Sequence, residues 1–174
     1  MTTIEIVATA DAHIEGFRRC VDTVARERRY LALVEGPPTD AARAFVQGLR
    51  AAGGVHMVAL DRALPGPEDA QVVGWCDIVR DMRPGFGHGG RLGMGLLPAY
   101  RGRRLGRRLA TAALDAAEVK GIERVELEVF SSNTRAIALY ERLGFVREGV
   151  RRRARRLDGR EEDDVLMARF IARA

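Results

Sequence analysis

The fold of this chain is decided by one stretch, residues 91–145, which reads RLGMGLLPAYRGRRLGRRLATAALDAAEVKGIERVELEVFSSNTRAIALYERLGF. A short run of alternating apolar residues and glycines ends at Pro98, which cannot donate a hydrogen bond to a neighbouring strand. An arginine-rich and glycine-rich loop follows. Two segments with helical spacing come next, separated by a segment in which apolar residues alternate with glutamate. The stretch therefore predicts a strand–helix–strand–helix unit.

The ends of these elements are marked by residues with known local preferences. Alanine and leucine residues recur at helical spacing from Leu105 to Ala116, which predicts the first helix. Apolar residues alternate with glutamate over 125–129, which predicts a half-buried strand. Asn133 is a capping residue for the second helix, and Gly144 is a left-handed C-terminal stop for it.

The loop Arg101–Gly106 lies between the first strand and the first helix and consists mainly of arginine and glycine. Backbone N–H groups at a helix N-terminus have no partner inside the helix and carry partial positive charge. Glycine lets such a backbone approach a ligand closely, and arginine adds forked donors. The loop therefore favours a phosphate or pyrophosphate site, with a solvated arginine turn as the alternative. It matches neither GxGxxG nor GxxxxGKS/T.

Two segments of this stretch resemble motifs of the GNAT superfamily of N-acetyltransferases. Residues 100–106 resemble its pyrophosphate loop, Q/R-x-x-G-x-G/A, and residues 133–145 resemble its signature N-x-x-A-x-x-L-Y-x-x-x-G-F. The motifs occur in the order and at the spacing of that family. One departure is Arg104, which stands where the family pattern has its first glycine. It keeps the N–H donor but adds a Cβ atom to the loop.

The resemblance implies a fold and a cosubstrate. The fold is of mixed α/β class, with three layers, helices on both faces and a largely antiparallel sheet of about seven strands. We expect a single GNAT-like domain over residues 1–174 that uses acetyl-CoA as acyl donor and no metal. In that fold the strands at 91–97 and 124–130 splay apart, and the pantetheine arm pairs with the first of them in the opening.

The residues outside the stretch predict the remaining elements. Asp11 is expected to cap a first helix that runs to about Arg29. Turn residues at 157–160 predict a hairpin between the last two strands. Together the patterns predict strands at 4–8, 55–60, 71–79, 146–156 and 165–171 and a second helix from Thr39 or Asp40 to about Ala52. The resulting order, β-α-α-β-β-β-α-β-α-β-β, predicts a mixed sheet with helices on both faces.

The resemblance places the cosubstrate on the strand before the loop, on the loop itself and on the second helix. The residues expected to bind it are Met94, Gly95, Leu96, Leu97, Arg101, Gly102, Arg103, Arg104, Leu105, Gly106, Arg107, Asn133, Ala136 and Tyr140. Asn133 is expected to hydrogen-bond the amide arm of the cosubstrate, to cap the helix, or to do both.

Acetyl transfer to an amine needs a proton acceptor for the ammonium group and a proton donor for the leaving thiolate. The resemblance puts Tyr140 at the general-acid position beside the CoA sulfur. A phenol is neutral, and so can donate a proton, at working pH. The alternative for Tyr140 is a packing role on the apolar face of its helix.

The sequence leaves the general base open. Glu128 lies on the strand that faces the opening, and His88 has a suitable ordinary pKa and lies among glycines before the core strand. Their alternatives are a solvated strand position and a turn position. Asp77 could receive a cationic amine, although a surface position on its strand is the stronger expectation. A water chain in place of a base stays open, and no Cys/His spacing predicts a metal site.

The charge balance invites a second class of function. The chain has a net charge of +5 and a pI near 10.0, which is also found in nucleic-acid-binding proteins. However, every one of its 29 Lys and Arg residues except Lys120 is arginine, which indicates a bias of the whole chain. The cluster at 151–156 has no interleaved aromatic residues to stack on bases and is more typical of a charged strand edge. Nucleic acid is therefore not expected as a partner.

Compartment and partners are predicted as follows. No apolar run is long enough to span a membrane, and two cysteines do not make a disulfide framework, which predicts a cytoplasmic protein with no membrane partner. Together with the resemblance, the sequence predicts an N-acetyltransferase that joins acetyl-CoA and a primary amine by direct attack in a ternary complex. The amine is a small amine, an amino acid or a peptide or protein N-terminus. The alternatives are a non-catalytic CoA-binding module and a basic protein that binds nucleic acid or ribosomes. A homodimer is a candidate assembly.

Overall fold

The computed structural model describes residues 4–171, and its seven strands form one sheet in the order β1-β2-β3-β4-β5-β7-β6. The strands are β1 (Ile4–Ala8), β2 (Val55–Asp61), β3 (Val72–Arg80), β4 (Gly89–Leu96), β5 (Arg124–Phe130), β6 (Val146–Leu157) and β7 (Arg160–Phe170). The helices are α1 (Ile14–Arg26), α2 (Thr39–Ala51), α3 (Leu105–Val119) and α4 (Thr134–Arg142). The predicted element order and fold class are therefore confirmed. Over the same residues, every helix is too short or too polar to cross a bilayer.

The helices cover both faces of the sheet. On one face, α1 and α2 pack through Phe17 and Val46 against Trp75 of β3. On the other, α3 and α4 pack through Leu109 and Ile137 in a larger cluster with the central strands. Because side chains alternate along a strand, Asp77 shares the α1–α2 face with Trp75, whereas Cys76 belongs to the α3–α4 cluster.

The sheet is split between β4 and β5. Within the described residues, these two strands are the parallel neighbours and every other neighbouring pair is antiparallel. They pair only from Gly89↔Arg124 to Arg91↔Glu126, although β4 continues to Leu96 and β5 to Phe130. From residue 92 onward, β3 is the one strand within residues 4–171 that still pairs with β4. A gap therefore opens towards the carboxyl ends of both strands, as the resemblance implied.

Two local predictions were wrong. Asp11 does not cap α1, because its carboxylate forms an ion pair with Arg50 of α2 at 2.5 Å. A short 3-10 turn at 11–13 precedes the helix instead. The last strand begins at Arg160 rather than at residue 165, because the charged segment 160–164 pairs with β6 along the whole hairpin.

The arginine cluster on β6 is used mainly within the chain. Arg151 forms an ion pair with Glu128, and Arg153 and Arg156 both pair with Glu161. Ion pairs to the chain's own carboxylates reduce the positive charge available to a polyanion. The contacts therefore fit a charged strand edge better than a nucleic-acid surface.

Candidate active site

The loop between β4 and α3 has an unusual backbone. Gly102 has a φ of +80°, and Arg104 has a φ of +60° and a ψ of 5°, whereas Arg103 between them lies outside the left-handed region. Left-handed residues in such an arrangement turn successive N–H groups to one side and form a concavity for anions. Arg104 thus adopts the conformation that glycine adopts most easily. Arg104 therefore provides a left-handed backbone at the position where the family pattern has its first glycine.

The backbone N–H groups of this loop are free. From Gly102 to Arg107 they meet no acceptor within residues 4–171, and no side chain caps α3. Hydrogen bonding ends at Arg101, which donates to the carbonyl of Pro98 at 3.3 Å, and resumes at Arg108, which donates to that of Arg104 at 3.3 Å. Six consecutive unpaired donors at a helix N-terminus are available to bind an anion.

Arg101 does not offer its side chain to this site. Its guanidinium holds the carboxylate of Glu27 with two hydrogen bonds, the longer of 2.7 Å, and donates to the carbonyl of Leu96 at 3.0 Å. It also lies 4.9 Å from the ring centre of Tyr30. The predicted contact between Arg101 and the cosubstrate is therefore not supported for the side chain, which instead ties the end of β4 to the end of α1.

The guanidinium of Arg135, rather than that of Arg101, lies beside the loop. Its Nη2 lies 2.6 Å from the point where a Cβ on Gly102 would stand, so its guanidinium covers the loop backbone. Arg135, Arg104 and Arg107 form no ion pair within the described part of the chain. Sequence reasoning missed Arg135, although its position two residues after Asn133, at the start of α4, was a signal.

The edge of β4 that faces the gap offers further unpaired backbone. Leu97 N–H donates to the carbonyl of Val73 at 3.0 Å, so odd-numbered residues of β4 bond to β3. By the alternation of an antiparallel ladder, the backbone groups of Met94 and Leu96 face the gap, where β5 no longer pairs. An extended ligand can bind to this edge as an added strand.

Gly106 brings the loop, β4 and α4 together. A Cβ on Gly106 would stand 3.3 Å from Leu139 and 3.6 Å from both Leu96 and Met94. The side chain of Leu105 is buried, so this residue offers only its backbone to the site. The strand β4, the loop and the helix α4 therefore meet at Gly106.

Two polar residues of α4 face this region. The side-chain oxygen of Asn133 accepts from the N–H of Ala136 at 3.2 Å and so caps the helix, as predicted, while its NH₂ group meets no acceptor within residues 4–171. Tyr140 is 8% exposed, packs against Phe145 at 5.8 Å between ring centres, and has a hydroxyl that bonds to none of the described residues. Burial raises the pKa of Tyr140, and the nearby Cys76 thiol and Asp77 carboxyl raise it further. The phenol therefore stays protonated at neutral pH.

The two predicted base candidates are poorly placed. Glu128 lies on β5 beside the gap, but Arg151 binds its carboxylate and Arg91 lies 4.0 Å away. His88 lies before β4, roughly 25 Å along the strand from Leu96 at about 3.3 Å per residue, and so at the opposite end from the loop. The structure does not bring His88 to the opening.

Asp77 was wrongly expected at the surface. It is only 7% exposed, because α1 and α2 cover this face of the sheet. Burial raises the pKa of its carboxyl to about 7, and the Trp75 indole offsets part of that effect. No cationic side chain of the described residues lies within ion-pair distance of it. Sequence reasoning missed its burial, because that depends on helices distant in sequence.

A family model links this geometry to known proteins. The model described as the acetyltransferase (GNAT) family matches residues 33–145, which is more than half of the chain. The chain belongs to the GNAT acetyltransferase family. Both of the sequence motifs and the whole of the loop and gap lie within or at the end of the matched region.

Curated GNAT relatives match the motif region. N-alpha-acetyltransferase RimI of Mycobacterium tuberculosis is 48% identical over 66 residues, which are 38% of this chain and 40% of that protein. Ribosomal protein bS18 alanine N-acetyltransferase of Escherichia coli K12 is 41% identical over 71 residues, 41% of this chain and 48% of that protein. The chain thus spans less than half the length of these relatives.

Solved GNAT structures share the fold over nearly the whole chain. A phosphinothricin acetyltransferase from Sinorhizobium meliloti, in complex with AcCoA, superposes with a TM-score of 0.88 at 18% identity, covering 97% of this chain and 89% of that one. YncA from Salmonella typhimurium, a putative acetyltransferase with its cofactor acetyl-CoA, gives a TM-score of 0.85 at 20% identity, covering 98% and 95%. At such identities the likeness establishes the fold.

Proposed function

We propose that this protein is an acetyl-CoA-dependent N-acetyltransferase that acts on a primary amine. The observation that carries the proposal is the run of free N–H groups from Gly102 to Arg107, which lies at the mouth of the gap between β4 and β5. A helix N-terminus with unpaired amides binds a diphosphate, and the gap accepts an extended arm. Both of the solved structures described above contain acetyl-CoA, which fits this assignment.

The chain's residues have distinct roles in this proposal. The amides of 102–107 and the guanidinium of Arg135 hold the diphosphate. The backbone edge at Met94 and Leu96 binds the pantetheine arm, and Asn133 offers its free NH₂ group to an amide of that arm. Acetyl-CoA supplies the activated thioester. The hydroxyl of Tyr140 gives its proton to the sulfur that leaves, which avoids releasing a free thiolate into a buried site.

The acceptor is proposed from the relatives and from the shape of the site. Relatives named for the N-terminal alanine of ribosomal protein bS18 favour a peptide or protein N-terminus, with small amines and amino acids as alternatives. The segment after α1 is held on both sides of the gap, through Glu27 to Arg101 and through Arg28 to Asp158 at 2.7 Å. This segment therefore bridges the β4 side of the gap and the β6–β7 hairpin and would border an acceptor bound there.

Calorimetric titration with acetyl-CoA and an amine panel test the proposal. The panel contains free L-amino acids, spermidine and the peptide Ala-Ala-Ala-Ala, and released CoA is measured with a thiol reagent. We expect acetyl-CoA binding together with CoA release that depends on one class of amine. Binding without transfer would favour a non-catalytic CoA module, and no binding together with salt-sensitive RNA binding would favour a nucleic-acid function. Homodimer formation and a cytoplasmic location remain predictions.

A further inference from the structure

Asp77 is a buried carboxyl on the face of the sheet opposite Tyr140. It lies on β3 in register with Gly93 of β4, two residues beyond the last residue of β4 that pairs with β5. Its carboxyl oxygens lie 3.2 and 3.3 Å from the point where a Cβ on Gly93 would stand. Because Gly93 has no side chain, the carboxyl lies against the bare backbone of β4 just beyond the point where β4 and β5 stop pairing.

The faces of the sheet give Asp77 and Tyr140 complementary positions. Tyr140 belongs to the cluster on the α3–α4 face, and Asp77 lies on the α1–α2 face. The charge of Asp77 nevertheless contributes to the raised pKa of Tyr140, and Cys76, which neighbours Asp77 on β3, packs in the same cluster as Tyr140. A thioester held in the gap would have a carboxyl on one side and a phenol on the other.

We propose that Asp77 is the general base, the group that receives the ammonium form of the acceptor and removes its proton. This inference rests on the proposed acetyltransferase function. One proton passes from the ammonium nitrogen to a carboxylate oxygen of Asp77. The neutral amine nitrogen then forms a bond to the acetyl carbon, and the carbon–sulfur bond breaks. The sulfur takes the proton of Tyr140. The new amide nitrogen releases its surplus proton, which returns to the Tyr140 oxygen. The proton on Asp77 then passes to solvent, so one proton is released for each acetyl group transferred.

The surroundings of Asp77 leave it as the group that titrates near neutral pH. The titratable and charged groups on the elements around it include Cys20 on α1, Arg50 on α2, His56 on β2, Cys76 on β3, Arg91 on β4, Glu128 on β5 and Tyr140 on α4. Burial raises the pKa of the Cys20 thiol, and Arg50 forms an ion pair with Asp11. Burial lowers the pKa of His56 to about 3 and raises that of the Cys76 thiol, so both are neutral at pH 7. Arg91 and Glu128 lie 4.0 Å apart and oppose each other's charge.

The variant Asp77→Asn tests this role with little change in shape. In the wild type, kcat/KM for the best acceptor of the amine panel should rise with pH to a plateau above about 7, because the base acts when deprotonated. We expect Asp77→Asn to lower kcat by at least about 100-fold and to abolish that rise, with acetyl-CoA affinity unchanged. Glu128→Gln, a second carboxylate beside the gap, is the matched control and should keep the rise.

A second variant covers the case in which Asp77→Asn does not fold. Gly93→Ala places a methyl group against the carboxyl and should lower kcat by at least about tenfold while the pH rise is kept, since the carboxyl still titrates. If the wild type transfers acetyl groups and Asp77→Asn does so with the same rate and pH profile, this inference is overturned and the proposed function stands. Failure of the wild type to bind acetyl-CoA or to acetylate any amine of the panel would overturn the proposed function with it.

Discussion

Arg104 provides the sharpest test of the loop, because it holds a left-handed backbone, with a φ of +60°, at the N-terminus of α3. An L-residue in this conformation is destabilised by about 1–2 kcal/mol, and glycine is not. Glycine in turn has about 0.5–1 kcal/mol more chain entropy to lose on folding. The replacement Arg104→Gly should therefore change the free energy of unfolding by between about zero and +1.5 kcal/mol.

The matched control is Arg103→Gly. It removes the same charge and adds the same residue one position earlier, where the backbone is outside the left-handed region. It has the entropic loss without the relief of strain, so Arg104→Gly should be the more stable variant by about 1–2 kcal/mol. For a chain of this size, that corresponds to a Tm difference of about 2–8 °C, which differential scanning calorimetry resolves. Equal Tm values, or the reverse order, would refute the left-handed loop.

The same position tests the link between loop shape and binding. Arg104→Pro fixes φ near about −65° and removes the N–H donor, whereas Arg104→Gly keeps both the donor and the conformation. The two variants have the same net charge, so a difference between them reports the backbone of residue 104, both its conformation and its N–H donor. We expect Arg104→Pro to bind CoA at least about tenfold more weakly than Arg104→Gly, because a charge-assisted hydrogen bond contributes about 1.5–3 kcal/mol. Similar Kd values from calorimetry, with helix content intact by circular dichroism, would contradict the proposed diphosphate site.

Three further outcomes follow from the site. Tyr140→Phe should lower kcat by at least about 100-fold and leave the Kd for CoA within about twofold, because the hydroxyl acts on the leaving sulfur; equal losses in both would assign Tyr140 to packing. Arg135→Gln should raise the Kd for CoA by at least about fivefold, whereas Arg142→Gln, exposed on the same helix, should not; equal effects would exclude a specific contact by Arg135. The raised pKa of Asp77, about 7 against an ordinary 3.8, means that the stability from its neutral form is present below pH 3.8 and lost as the pH rises to about 7. The free energy of unfolding of Asp77→Asn, minus that of the wild type, should therefore increase by about 3 kcal/mol from pH 5 to pH 8, as measured by urea unfolding. A difference that does not change with pH would show that Asp77 ionises in the folded protein as it does in the unfolded chain.

The sequence predicts what depends on neighbouring residues. The alternation that defines β4, the helical spacing of α3 and the Asn133 cap are all local, and each is found at or near the predicted residues. The left-handed turns at Gly102 and Gly144 also follow from residue type. Where the backbone preference of the residues and their hydrophobic period indicate the same element, tertiary packing does not change that element.

Arg101 shows where local reasoning fails. By sequence it is one more arginine of the loop, equivalent to Arg103 and Arg104. In the fold its guanidinium binds Glu27, which lies 74 residues away along the chain. Which of several neighbouring arginines remains available to a ligand is decided by long-range ion pairs, and a single sequence does not record them.

The glycines of β4 show how the fold explains a feature of the sequence that the sequence alone does not explain. Glycine inside a strand normally weakens it, and the sequence gives no reason for Gly93 and Gly95. The fold supplies one, because a Cβ on Gly95 would stand 2.3 Å from the Trp75 indole and a Cβ on Gly93 would meet the Asp77 carboxyl. The large and charged side chains of β3 thus occupy space that β4 leaves empty. Burial under α1 and α2 raises the pKa of Asp77 and destabilises the folded protein at neutral pH, and the carboxyl lies against the bare backbone of Gly93. A side chain at residue 93 would crowd that carboxyl without removing the destabilisation, so the residue type at position 93 follows from its partner on β3 and not from its own strand.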